Sequence, residues 1–172
     1  MKLKGAEKHF WWLFAGIKDS KQIPNEIPGF TSIDSMVDDE YIAILFDRVN
    51  IAHSIYLKQT EISDEAVKSI SKVKKLTSLT LMKHPKITRK SLPYLNQLTD
   101  LEYLDIWRTG VILEDLHELN QLKNLKELYV SATRQAEDGS FPEMEKDLIL
   151  EKVIELEVIF PGCAIYVDFD RY

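Results

Sequence analysis

The side chains in this 172-residue sequence that could ligate a metal, attack an electrophile or move a proton are four histidines, one cysteine and 28 aspartates and glutamates. His9, His53, His84 and His117 stand far apart, with neither HxxxH nor HExxH spacing, so they predict no metal site. Cys163 is the only cysteine, and it can close neither an intramolecular disulfide nor a cysteine cage. No base stands near it in sequence to activate it, and its alternation with Ile165 and Val167 marks a small apolar residue on the inward side of a strand. Asp105 could face Glu127 or Asp168 across a sheet, and paired carboxylates hydrolyse glycosides when a cleft holds them about 5 to 9 Å apart. An open sheet face supplies no such cleft. The sequence also has no glycine-rich phosphate loop, no GxSxG elbow and no kinase signature. The expectation is a protein that is not an enzyme and needs no cofactor and no metal.

Charge and hydropathy narrow the partner. Lysine and arginine number 22 against 28 carboxylates, a net charge of −6, which argues against a surface that tracks phosphates and so against nucleic acid. Lys72, Lys74 and Lys75 alternate with Val73 and Leu76 and read as a solvated face. Near the N-terminus Phe10 to Ile17 form an apolar run preceded by Lys2, Lys4 and Lys8. The run is short, contains adjacent tryptophans and is followed by Lys18 and Asp19 in place of a small-residue cleavage site, so it does not read as a signal peptide. It predicts a short amphipathic segment covering one end of a core, with interfacial membrane attachment as the alternative. No stretch is long enough to span a bilayer, and the expected location is cytoplasmic.

The positioning elements emerge from the spacing of aliphatic residues. Val67, Ile70, Val73, Leu76 and Leu79 form one set with a step of three; Leu92, Leu95, Leu98, Leu101 and Leu104 form a second; Leu116, Leu119, Leu122, Leu125 and Leu128 form a third. Each set then steps by two, to Leu81, Ile106 and Val130, and a switch from three to two predicts a helix followed by a short strand. An earlier copy runs through Ile42, Leu45 and Ile51 to Ile55 and Leu57, with Arg48 interrupting its apolar column. A fainter one begins at Phe30 and Ile33, after a turn-rich lead-in from Pro24 to Pro28. At the other end Leu150, Val153, Leu156 and Ile159 predict a helix, and Cys163, Ile165, Val167 and Phe169 predict the inward side of a last strand. The acidic stretch from Arg134 to Lys146 predicts an inserted loop, either a flap over the sheet anchored by Phe141 or a disordered segment.

The segments "LTSLTLMKHPKIT", "LEYLDIWRTGVI" and "LKELYVSAT" resemble the LxxLxL pattern of leucine-rich repeat proteins, and "IYLKQTEISDEAV" is similar to bacterial members and the ribonuclease-inhibitor-like branch. The resemblance implies an α/β fold, a right-handed solenoid with a short parallel concave sheet and helices on the convex side. Thr60, His84, Thr109 and Thr133 stand where many members carry Asn or Cys, and a threonine hydroxyl can serve the same turning backbone. Because one unit of this length cannot hide its apolar column, the units must stack, and both ends need caps. The implied organisation is a cap and lead-in over residues 1–35, repeats over 36–133, the acidic insertion over 134–146, and a C-terminal repeat or cap over 147–172.

Alternation assigns the outward residues of the sheet: Ser54, Tyr56 and Lys58, then Ser78, Thr80 and Met82, then Tyr103, Asp105 and Trp107, then Glu127, Tyr129 and Ser131, then Ala164, Tyr166 and Asp168. Rigid amphipathic rings beside carboxylates are the material of protein interface hot spots. The expected site is a partner-binding concave face made by Tyr56, Tyr103, Asp105, Trp107, Glu127, Tyr129 and Tyr166, with Asp105 and Glu127 selecting Lys or Arg on a protein partner. Alternatives are an enzyme inhibitor or immunity protein neutralising a toxin, a carbohydrate-binding solenoid, and self-association through an uncapped end or strand edge. Deleting residues 1–29 is expected to lower the melting temperature or cause aggregation, and an unchanged melting curve would remove the cap assignment.

Overall fold

Alternating apolar residues build the sheet, and the sheet organises everything else. In the computed structural model, which describes residues 3–172, the strands are β1 (Glu26–Ile33), β2 (Ile51–Lys58), β3 (Ser78–Met82), β4 (Tyr103–Asp105), β5 (Glu127–Val130), β6 (Ala164–Val167) and β7 (Asp170–Arg171). They lie side by side in sequence order; β1 to β6 are parallel, and β7 turns back antiparallel on β6. Register aligns Phe30, Ile55, Leu79, Leu104, Leu128 and Ile165 in one row, and all six are buried. Leu57 pairs with Leu81 in a second buried row, and Val130 with Val167 in its continuation. The mixed α/β architecture has short helical segments over this apolar face.

Those segments are α2 (Asp39–Phe46), α3 (Asp64–Ile70), α4 (Leu92–Leu95) behind a 3-10 turn at Arg89–Ser91, a second 3-10 turn at Leu113–Glu118, and α5 (Lys146–Leu156). The third step-of-three set does not make an α-helix. Leu116 lies in the 3-10 turn, whereas Leu119, Leu122 and Leu125 are buried from the irregular chain between that turn and β5. A strict interval of three matches the 3.0 residues per turn of a 3-10 helix better than the 3.6 of an α-helix, and such runs stay short. Leu98 and Leu101 follow the same rule after α4.

Polar side chains join neighbouring turns of the chain. Asp39 accepts from the Ser63 amide at 2.7 Å, the Ser63 hydroxyl at 2.6 Å and the Ala66 amide at 3.0 Å. Asp64 does the same one step on, accepting from the Thr88 amide and hydroxyl and from the Ser91 hydroxyl. Ser63 and Thr88 themselves accept from Glu65 and Lys90 amides, so each helical start is capped from within and from the preceding turn. His84 is buried and its Nε2 accepts from the Thr60 amide at 2.9 Å, with the Thr60 hydroxyl also at 2.9 Å. The buried Thr109 hydroxyl contacts the Ile106 carbonyl at 2.8 Å and accepts from the Val111 amide at 3.2 Å.

A left-handed residue directly follows β1, β2 and β3 and another stands three positions after the end of β4: Asp34, Gln59, Lys83 and Arg108, with φ between 49° and 61°. Such a conformation costs a non-glycine residue about 1 to 2 kcal/mol. It aims each amide at the next strand: Asp34 donates to Lys58, Gln59 to Met82 and Lys83 to Trp107, while Arg108 donates to the Ser131 hydroxyl. Gly110 is required for a different reason. A Cβ there would stand 2.8 Å from the Ile87 carbonyl oxygen, which already accepts the Gly110 amide at 2.7 Å.

The N-terminal end departs from the sequence reading in two places. The lead-in from Pro24 to Pro28 is partly strand, since β1 starts at Glu26. Ile33 is not a core residue: it pairs with Lys58 and points outward, and Phe30 and Ser32 occupy the inward positions opposite Ile55 and Leu57. Before β1, α1 (Gly5–Ala15) buries Phe10 and Trp11. The Phe10 ring packs edge-on against Tyr41 of α2 at 4.4 Å, and Phe14 lies 5.9 Å from Phe30. Arg48, which breaks the apolar column of its set, donates to Glu7 of α1 at 2.7 Å and so fastens this helix to the stack.

Burial pushes the His84 imidazole below its ordinary 6.5, against smaller opposing effects of the Leu81 backbone and Glu61. The folded state therefore favours the neutral ring, and its stabilisation is complete above about pH 6.5 and lost as pH falls below it. Urea titrations should show His84→Ala destabilising by about 1 to 3 kcal/mol at pH 7.5. The gap to wild type should narrow below pH 6.5; a gap independent of pH would overturn this role.

Candidate functional site

The face of the sheet opposite the helices carries the outward residues of every strand. Register places Tyr56, Thr80, Asp105, Tyr129 and Tyr166 in one column, and Ser54, Ser78, Tyr103, Glu127 and Ala164 in the next. Parallel strands with matched pleats put these side chains about 4.8 Å apart, which brings rings on adjacent strands into contact. Tyr129 and Tyr166 stack nearly parallel, with centroids 4.4 Å apart and planes 6° apart. Tyr103 leans on Tyr129 at 5.5 Å. Tyr56 stands on β2, with Thr80 of β3 between it and β4, and does not extend that stack.

Trp107 lies beyond the end of β4, and its orientation is set by two carboxylates. Asp105 Oδ1 accepts from its backbone amide at 2.9 Å, and Asp168 Oδ1 accepts from its indole Nε1 at 3.0 Å. Asp168 Oδ2 also accepts from the Ala132 amide at 3.1 Å. Asp105 is only 4% exposed, so it is buried in the sheet between Thr80 and Tyr129 and offers little surface. Glu127 remains half-buried at the surface, where it accepts from the Tyr129 hydroxyl at 3.2 Å. Of the two carboxylates expected to select a partner, Asp105 is desolvated and holds the backbone amide of Trp107, whereas Glu127 keeps part of its surface.

Phe169 was expected inward with Ile165 and Val167, and the structure reverses it. Val167 pairs with Asp170, leaving Asp168 and Phe169 as a two-residue hairpin loop with φ of 48° and 73°. Both central residues of such a turn must be left-handed, a geometry normally given to Asn-Gly. A phenylalanine there is strained, and strain of this kind gathers at functional places. The turn lifts Phe169 out of the alternation, 51% exposed, with its ring 4.5 Å from Trp107 and 6.4 Å from Tyr129. The sequence signal for this reversal was the charged Asp168-Phe169-Asp170 run at the end of the last strand pattern. Cys163 is half-buried against the core, and desolvation pushes its thiol up to about 11.

The acidic segment borders the same patch. The Arg108 guanidinium lies 4.3 Å from the Trp107 ring centroid and 4.7 Å from that of Phe141. Arg134 Nη2 meets Asp115 at 2.7 Å and its Nε donates to the Gly110 carbonyl at 3.0 Å, while the Thr133 hydroxyl donates to the Pro142 carbonyl at 2.6 Å. Phe141 thus sits beside Trp107, with Arg108 between the two rings. From Tyr103 to Phe141 one aromatic patch crosses β4, β5, β6 and the segment after β5.

Burial dominates the electrostatics. It raises the Tyr103 hydroxyl to about 12, helped by Asp105 and Glu127, and it raises Tyr129 with further help from Glu127. Both remain protonated hydrogen-bond donors near neutral pH. Among the described residues, no group of three or more His, Cys, Asp or Glu side chains is placed to hold a metal ion, and no helix is long and apolar enough to cross a membrane. In comparisons with known proteins the chain matches no family model and no curated protein.

Desolvation raises Asp105 to about 6, partly offset by the Trp107 amide. Its ionisation opposes folding, so its favourable contribution is full below about pH 3.8 and lost as pH rises through about 6. Asp105→Asn keeps the acceptor for Trp107 and removes the buried charge. In urea titrations the variant should be more stable than wild type at pH 7.5, by about 3 kcal/mol at most, with the gap closing towards pH 4. A gap that does not change with pH would contradict the assignment.

Proposed function

We propose that this chain is a leucine-rich repeat protein, a right-handed solenoid whose concave face carries the aromatic patch, and that it acts as a non-catalytic protein-protein interaction module. Support for the fold reading comes from parallel strands in sequence order whose buried row, Phe30, Ile55, Leu79, Leu104 and Leu128, recurs at intervals of 24 and 25 residues from β1 to β5. One observation carries the functional reading: Tyr103, Tyr129, Tyr166, Phe169 and Trp107 form a single partly exposed run of touching rings on the open face. Aromatic side chains locked by neighbours lose little conformational freedom on association, which suits them as anchors. Tyr56 would extend the contact on the N-terminal side, and Glu127 would favour a basic group on the partner.

The carboxylates also fit a binding role better than a catalytic one. Asp105 and Asp168 accept hydrogen bonds that orient Trp107, and Glu127 accepts from Tyr129, so all three hold rings in place. A carbohydrate site is less well served, because sugars lie against ring faces and the facing sides of Tyr129 and Tyr166 are closed by their mutual stack. Inhibition of a toxin or another enzyme falls within the same class of protein contact.

Affinity capture from the native lysate with wild type and with the double variant Trp107→Ala, Tyr129→Ala tests the reading. A protein retained by wild type and lost by a double variant with unchanged circular dichroism is the expected result. Equal retention by both would move the contact away from this face.

A further inference from the structure

The acidic segment between β5 and α5 closes on itself before it touches anything else. The Ala136 amide donates to the Ser140 carbonyl at 2.8 Å, and the Gly139 amide donates to the Ala136 carbonyl at 2.9 Å. Gln135 Nε2 donates to the Gly139 carbonyl at 2.9 Å, while Asp138 accepts from the Ser140 amide at 2.9 Å and from its hydroxyl at 2.6 Å. Gly139 makes the turn with a φ of 85°. The Thr133 hydroxyl, bonded to the Pro142 carbonyl, pinches the base of this loop and presents Phe141 beside the pinch. Among the described residues, no backbone-backbone hydrogen bond ties residues 135–143 to another part of the chain.

Side chains hold the loop down. Arg134, just before it, is fixed by Asp115 and the Gly110 carbonyl, and Met144, just after it, packs on the core. Between these two anchors Phe141 lies 4.7 Å from the Arg108 guanidinium, whose other ring contact is Trp107 at 4.3 Å. Phe141 is half-buried without joining the core, and Arg108 is exposed, where a contact between cation and ring is weak. A second feature opposes closure. Glu143, Glu145, Asp168, Asp170 and Lys146 line an open notch of about 390 Å³ between the segment and the β6–β7 hairpin, four carboxylates with one ammonium. Carboxylates on both sides of the notch repel one another, so the loop is held by few contacts against a like charge.

We propose that residues 135–143 act as a strap that closes the Trp107 end of the aromatic face in the free protein and lifts when a partner lays a ring of its own on Arg108. Phe141 shows that this place accepts a ring, and while it is there both ring contacts of the guanidinium are taken. Few buried contacts and exposed hydrogen bonds are the marks of elements that open easily. The strap governs the face assigned above to a protein partner and so rests on that assignment.

Fluorescence of anilinonaphthalene sulfonate, a dye that joins aromatic rings to an anion, reads whether the place on Arg108 is free. Phe141→Ala should bind more dye than wild type, and adding Trp107→Ala should remove that rise. A glycine-serine linker of equal length in place of residues 135–143 gives the same comparison should Phe141→Ala lose its native circular dichroism, and Trp107→Leu stands in for Trp107→Ala in the same event. No rise, or a rise that survives the loss of Trp107, overturns the strap. Affinity capture from the native lysate separates the strap from the reading of the face. A protein retained by wild type should be retained more by Phe141→Ala. One retained no better by Phe141→Ala, yet lost by the Trp107→Ala, Tyr129→Ala double variant, overturns the strap and leaves the face as the contact site. A Trp107-dependent rise in dye binding with no protein retained by either chain upholds the strap and counts against the face as a protein contact.

Discussion

Strand register is the constraint on which the remaining structure depends. Phe30, Ile55, Leu79, Leu104, Leu128 and Ile165 share one buried row, and each such residue is worth about 1.5 to 3 kcal/mol when removed from water. A slip of one residue on any strand would turn that residue to the open face and force a Tyr, Thr or Asp into the core. Because the penalty recurs at every strand, the same alignment that hides the leucines also lines up Thr80, Asp105, Tyr129 and Tyr166. The aromatic column is a by-product of burying its neighbours.

Polar contacts then fix how one turn of the chain follows another. Asp39 and Asp64 each take an amide and a hydroxyl from the start of the next helical segment, and His84 takes the amide of Thr60. These groups satisfy donors that the short connections would otherwise bury unpaired, which is more costly than the bonds themselves are favourable. The ladder does not continue unchanged: Arg89 stands where a third aspartate would be and reaches Glu118 instead, and the connection beyond it narrows to a 3-10 turn. Arg48 interrupts the apolar column for a related reason, since its guanidinium anchors Glu7 on the helix that closes the N-terminal end.

On the open face the exposed rings rest on groups that are themselves unfavourable in isolation. Asp105 is a desolvated carboxylate, and Asp168-Phe169 is a left-handed pair without glycine. Both act on Trp107, one through its backbone amide and the other through its indole nitrogen and the neighbouring Phe169 ring. The strain and the buried charge persist because the surrounding register is over-determined, and together they hold the tryptophan in a single orientation.

Much of this was legible from local pattern. A switch from steps of three to steps of two marks where helical segments give way to strands, and alternation within a strand sorts inward Leu128 from outward Tyr129, because both periodicities are properties of the backbone itself. The serine and threonine starts at Ser63 and Thr88 are equally local. What only the tertiary structure decided involves residues far apart in sequence. Asp168 reaches Trp107 across 61 positions, Arg48 reaches Glu7 across 41, and Phe169 leaves the core because a two-residue hairpin closes after Val167. Asp105 reads in sequence as a surface charge and becomes a buried one only in the assembled sheet between Thr80 and Tyr129, since burial depends on which strands adjoin and not on the residues beside it in the chain.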